Sequence, residues 1–372
     1  EVLNWQARYG EAFEIFNQML KYAEENEDVT AQARALQGMG LSQTYQGDHL
    51  SSLDNAVRSE TLARRAANNA LLARALLMQG QARWRLGETQ AALALEEQAL
   101  AIFTELNSQN DMAQSLNLLG GAHYTSGRFD QAQDYWENAL KIFQELGNRQ
   151  RDMDLLSNLG VIAEARGDYG TAFERYDSAL RTSREIGDRD GEILFLTNRG
   201  SAEVALKKYE VAERDLRQAI SLAGITGSWV MPLTFNYRAE ALLGLGRYDE
   251  AFYSARQALV LAEEDKTPEY IGIAWRTLGM ICNKISGTLR FSDWETHQKT
   301  DHDAEFCFSK SLKILTDAQI DSERARTLRE WASYELKRGN KEQAKKMWQE
   351  AREIFTKLGA QMEVERMKEM PS

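Results

Sequence analysis

Proline is nearly missing from this chain: Pro232, Pro268 and Pro371 are its only three in 372 residues, so long helices can run without interruption. Cysteine is as scarce. Cys282 and Cys307 are too few for a disulfide framework and read as reduced thiols on buried helices. Positive charge is in deficit, with 45 Lys and Arg against 56 Asp and Glu and a formal charge of −11. A phosphate-binding surface needs clustered basic residues, so nucleic acid is not an expected partner. Apolar runs stay far short of the roughly 20 residues of a membrane span, and no basic start leads into an apolar core, so neither a membrane nor secretion is expected. Phosphate loops, nucleophile elbows and paired Cys and His at a catalytic spacing are also missing, which leaves no enzyme, cofactor or metal to assign. A cytoplasmic folded protein remains, since 43% apolar and 27% charged residues are not the mix of a disordered one.

What is present is repetition. Gly120, Gly160 and Gly200 stand forty residues apart, and Ala132, Ala172 and Ala212 each follow twelve residues later. Extended both ways, the small anchor recurs at Ala12, Ser52, Ala92, Ala132, Ala172, Ala212, Ala251, Ala304 and Ala344. Its earlier partner recurs at Gly40, Gly80, Gly120, Gly160, Gly200, Ala239, Gly279 and Ala332. Four residues before each partner stands a large apolar residue: Leu36, Leu76, Leu116, Leu156, Leu196, Phe235, Trp275 and Leu328. Residues i and i+4 share one face of a helix, so each unit opens with a helix whose apolar face carries a notch. A second helix follows, with Ala132, Trp136, Ala139, Leu140 and Phe143 as its stripe in one unit. Gly127 to Asp130 and Gly167 to Tyr169 mark the turns inside units, and Gly147 to Arg149 and Gly187 to Arg189 those between units. A period of this size means a stacked array of helix pairs.

This order of large, small and aromatic positions resembles the tetratricopeptide repeat over nearly the whole chain. The resemblance implies an all-α, right-handed superhelical solenoid of antiparallel helix pairs, with first helices lining a concave groove. The forty-residue period is similar to the longer-helix subgroup of kinesin light chains and many bacterial regulators. Two departures stand out: the first-helix tyrosine is mostly missing, and Glu96 occupies a place where an aromatic is usual. The expected organisation is one solenoid over residues 1–372, of about eight full pairs after a partial first unit, with Lys341–Lys357 in the last pair and residues 360–372 as a cap. The truncated first unit suggests a fragment of a larger protein.

One interval between anchors is irregular, with an excess of 13 residues at 284–303. His297, Asp301, His302 and Asp303 fall there, but nothing in their spacing sets a metal geometry, so a solvated loop is expected. Phe291 and Trp294 are expected to fold it back onto the array. His49 and His123 read as packed or solvated helix residues. The charge runs Glu24–Asp28 and Glu263–Lys266 fall between units as solvated ends.

The resemblance places Trp84, Asn117, Tyr124, Asn158, Asn198, Asn236, Arg276 and Arg329 near the groove. Asparagine can donate to and accept from a peptide backbone, and arginine can hold a carboxylate by two parallel bonds. The alternative for each asparagine is to join adjacent helices. The lysine set of the family's chaperone-tail clamp is not found. The closing segment from Ala304 to Met370 is similar to the last repeats of large bacterial signalling proteins, in which such arms follow an ATPase. The expected function is therefore an interaction and sensor arm for a protein or peptide partner, with an upstream ATPase domain in the natural chain. A free-standing adaptor or peptide receptor is the first alternative, and a sugar-like small-molecule sensor, resting on Trp84 and Tyr124, the second.

Overall fold

The computed structural model describes residues 8–224, 228–292 and 299–369. Helix α1 (Tyr9–Glu25) precedes eight helix pairs. These are α2 (Val29–Tyr45) with α3 (His49–Arg65), α4 (Asn69–Arg85) with α5 (Thr89–Glu105), α6 (Gln109–Thr125) with α7 (Phe129–Glu145), and α8 (Arg149–Ala165) with α9 (Tyr169–Ile186). Then come α10 (Arg189–Ala205) with α11 (Tyr209–Ala223), α12 (Met231–Gly244) with α13 (Tyr248–Glu264), α14 (Pro268–Ile285) with α15 (Ala304–Asp317), and α16 (Asp321–Lys337) with α17 (Lys341–Lys357). A short helix, α18 (Gln361–Arg366), closes the series. The all-α repeat reading therefore holds, with one small β element inserted after α14. The chain divides into two compact units, Glu1–Leu155 and Leu156–Ser372, with the boundary inside α8.

The junctions show why these residues stop and restart helices so regularly. At Gly47, Gly87, Gly127 and Gly167 the backbone turns left-handed, with φ between 70° and 84°. The next residue then begins a new helix. Asp48 and Asp168 do so through their carboxylates, which accept the amides of Ser51 and Thr171 at 3.1 Å. Ala67 and Lys207 take the same conformation at φ 49° and 59° without being glycine, which costs each roughly 1 kcal/mol or more. The turn geometry is imposed by stacking and persists where the residue disfavours it.

The notch on the first helix is used as its spacing suggests. A Cβ built on Gly120 would lie 2.4 Å from the Trp136 ring, and one on Gly160 2.5 Å from the Tyr176 ring. The second helix thus lays a large side chain directly on the backbone of the first. Leu216 meets Gly200 in the same manner, and Phe308 meets Gly279. Full burial of such a side chain contributes about 2–3 kcal/mol. Within the first unit α1 to α7 each pack on the next, as α9 to α18 do within the second, and first helices of successive pairs also touch, α10 on α12, α12 on α14 and α14 on α16. This neighbour-to-neighbour packing is what an array requires.

The insertion differs from the expected solvated loop. It is an antiparallel hairpin of β1 (Leu289–Ser292) and β2 (Lys299–His302), with Leu289 opposite His302 and Phe291 opposite Thr300. Alternation is the cause: Leu289 and Phe291 face the core while Arg290 points out. His302 is buried too, its ring 4.3 Å from that of Phe291 and 5.6 Å from that of Trp275, and its carbonyl accepts the Cys282 thiol at 3.4 Å. Asp303 is spent as the N-cap of α15, accepting the Phe306 amide at 2.8 Å. Among the described residues no group of three His, Cys, Asp or Glu could hold a metal. Trp294 and His297 lie outside the described residues. Cys282 and Cys307 are both buried and free. No described helix is long and apolar enough to cross a membrane.

Candidate functional site

Within the second unit the first helices α8, α10, α12, α14 and α16 turn one stripe of side chains toward a cavity of about 690 Å³. The stripe follows the forty-residue register. Ser201 and Glu240 come one residue after the small position of their helix, and Glu164 and Val204 four residues after it. Arg276 and Arg329 come three before it, one turn earlier on the same face. Tyr169, at the start of α9, and Tyr237, on α12, complete the wall used below.

Charge pairing holds this wall in place. Arg276 is 5% exposed and pairs with Glu323, itself 6% exposed, while its second terminal nitrogen lies 3.7 Å from Glu240. The other oxygen of Glu323 receives Arg326 at 2.9 Å. Burial alone would raise the Glu323 pKa, but Arg326, Arg276 and the hydrogen bond from Arg276 outweigh it and bring the carboxyl down to about 2. Glu240 goes the other way: burial and the nearby Glu323 and Glu330 raise it against the pull of Arg276. It accepts hydrogen bonds from Asn236 at 3.1 Å and Thr277 at 3.2 Å. Glu164 accepts from Ser201 at 2.7 Å and from Tyr176 at 3.1 Å. Burial pushes the Tyr169 hydroxyl up to about 12, so it remains a donor.

The sequence-derived groove residues fall into two groups. In the first unit, Trp84 reaches from α4 to α6: its indole N–H donates to Thr125 at 2.9 Å, and a Cβ on Gly121 would lie 3.0 Å from its ring. The Asn117 carbonyl accepts the Trp136 indole at 3.0 Å, and the Tyr124 ring packs 5.4 Å from Phe129 and 5.8 Å from Trp136. The contacts of these three residues join neighbouring helices. In the second unit, Arg276 and Arg329 line the cavity. Asn236 is buried beside it, held to Glu240, with no partner for its carbonyl oxygen among the described residues. Asn198 donates to Ser157 at 3.3 Å, linking α10 to α8, and Asn158 is half-buried on α8. Sequence reasoning missed Glu164, Tyr169, Tyr237, Glu240, Glu323 and Arg326. The register could have found Glu164 and Glu240, which share the inward face of their helices with the named residues.

The arrangement is that of a helical-repeat protein, with a wall of paired arginines and carboxylates facing a half-open cavity. Two family models for the tetratricopeptide repeat match it, one over residues 111–181 and 151–224, the other over 197–266. Residues 111–266 thus match the tetratricopeptide repeat, and helix pairs continue on both sides of that span. Similar solved structures include a Rap protein complexed with competence and sporulation factor, at 14% identity over 96% of this chain and 98% of that one, with a TM-score of 0.66. The apo quorum sensor NprR from B. thuringiensis is 11% identical over 95% of this chain and 99% of that one, with a TM-score of 0.64. A signal-transduction ATPase with numerous domains and a tetratricopeptide-repeat sensor, from Pyrococcus horikoshii, is 15% identical over 84% of this chain and 46% of that one, also at 0.64. At these identities the likeness concerns the fold. No curated protein matches the sequence.

Proposed function

We propose that this chain is a non-catalytic sensing arm that takes a peptide, or an extended segment of a protein partner, in the cavity of its second unit. The observation that carries the reading is the wall of that cavity, where Arg276, Arg326 and Arg329 stand among Tyr169 and Tyr237. Arginines suit carboxylates, and tyrosines supply apolar area with a polar tip. The volume of 690 Å³ falls in the roughly 300–1,000 Å³ range of ligand sites. Proteins of similar fold are named in complex with competence and sporulation factor and with the Phr* peptide. We read the arm as cytoplasmic and as part of a larger bacterial signalling protein; the sensor-bearing ATPase, of which a matching array makes up 46%, supports the larger-protein part of that reading. The natural reading frame is expected to continue upstream of Glu1 into an ATPase domain. A natural chain without an ATPase domain would leave a free-standing adaptor instead.

A peptide selected from a displayed library tests the site. Lys207 and Lys284 line the cavity and are exposed, so reversing their charge leaves the packing intact. Lys207→Glu with Lys284→Glu is expected to weaken an acidic peptide at least tenfold by calorimetry, about 1.4 kcal/mol, with the thermal transition unmoved. Equal affinity would move the site elsewhere, and displacement of the peptide by a neutral sugar would favour a small-molecule sensor.

A further inference from the structure

The last helix of the second unit returns to the unit's beginning. The Met362 amide donates to the Arg166 carbonyl at 3.3 Å, and Glu363, 2% exposed, sits between three donors. These are the Tyr169 hydroxyl at 2.6 Å, the Arg329 guanidinium at 2.6 Å and the Arg366 guanidinium at 2.9 Å. Arg366 also lies over the Tyr169 ring, 4.6 Å from its centroid. The contact spans 194 residues of sequence. Tyr169 and Arg329 both line the cavity, so the groups that hold Glu363 are also reachable from the ligand side.

We propose that Tyr169 and Arg329 form a carboxylate-binding site of the cavity, and that Glu363 occupies it as a tethered stand-in, latching α18 onto the start of α9. The chemistry is specific. One phenol and one guanidinium N–H at 2.6 Å match the two oxygens of a carboxylate, and Glu363 uses one oxygen for each. A ligand carboxylate arriving from the cavity competes for the same two donors. When it wins, α18 loses its anchor and the Met362 amide leaves the Arg166 carbonyl. Occupancy of the interior is thereby read out at the C-terminal helix. The latch lowers apparent affinity by the fraction of time it is closed. The ligand half of this proposal rests on the reading of the cavity given under Proposed function, whereas the latch half does not.

The test is competition in the full chain. In Glu363→Ala, hydrogen exchange over residues 361–367 is expected to accelerate at least tenfold, with the protection of α14 to α17 retained. In the wild type, acetate at several hundred millimolar should accelerate exchange over the same residues at least twofold, because it competes with the tethered carboxylate for Tyr169 and Arg329. Acetamide, or chloride at equal ionic strength, should not, and acetate should change nothing in Glu363→Ala, whose latch is already open. Glu363→Gln, which keeps the side-chain volume, is the second variant should the alanine chain fail to fold, and is expected to exchange faster than the wild type over the same residues. Wild-type protection in these variants, or acetate no more effective than chloride, would overturn the latch. If acetate opens the latch while the library-selected peptide leaves exchange over 361–367 unchanged, the carboxylate site stands and the peptide reading of the cavity falls.

Discussion

Replacing Glu96 by leucine is expected to stabilise the α4–α6 region by about 5 kcal/mol at pH 9, and by much less at pH 4.5. Glu96 is fully buried, and neither carboxylate oxygen has a hydrogen-bond partner among the described residues. It lies on Gly80, whose added Cβ would sit 2.6 Å from the Glu96 side chain, in the place that Trp136, Tyr176 and Leu216 take over their own glycines. Burial alone raises its pKa from 4.5 to about 8. The sign follows from that direction. Below pH 4.5 the carboxyl is neutral in the folded and unfolded chain alike and adds no pH-dependent cost. As pH rises from 4.5 the unfolded chain ionises first, so stability falls by about 1.4 kcal/mol per pH unit until about pH 8, where the loss levels off. Leucine removes the titration and keeps the volume, as Leu216 does over Gly200. Hydrogen exchange over residues 69–125, corrected for intrinsic rates and measured from pH 5 to 9, checks both the size and the slope. A variant whose protection tracks the wild type at every pH would mean that Glu96 finds a charge partner or water when folded.

That residue also marks where sequence reading reaches and where it stops. The forty-residue register locates Glu96 at an aromatic position, because the contact it makes is local: Gly80 and Glu96 belong to one helix pair. The same locality makes the notches at Gly120 and Gly160 legible, along with the left-handed glycine turns. The hairpin was not legible, since strands of four residues carry too few alternations to outweigh a polar composition, and the burial of His302 depends on Trp275 and Phe306 from two different helices. In the site, the resemblance pointed to Arg276 and Arg329 but not to what they pair with. Glu323 lies 47 residues from Arg276, and Glu363 lies 34 from Arg329 and 194 from Tyr169. Those pairings are set by how successive repeats turn within the second unit, and the turn per repeat is not written in any one repeat.

Glu323→Gln should be among the most destabilising single substitutions in the second unit, at about 3–5 kcal/mol, because it leaves two arginines facing each other without their shared carboxylate. Arg276 and Arg326 converge on Glu323 from α14 and from its own helix, α16, and Arg276 has no exposed surface to retreat to. The wild-type pH profile gives an independent measure of the same interaction. The folded pKa of about 2 lies below the unfolded 4.5, so the contribution is complete above pH 4.5 and is lost as pH falls toward 2, about 3 kcal/mol in all. The variant should lack this acid limb. Adding Arg276→Met to Glu323→Gln is expected to recover part of the loss, since removing a stranded buried charge costs less than keeping it. Urea unfolding with exchange read over residues 268–357 tests the pair. If the double variant is no more stable than Glu323→Gln alone, the penalty comes from Arg326 and not from Arg276, and the wall of the cavity is held from within α16.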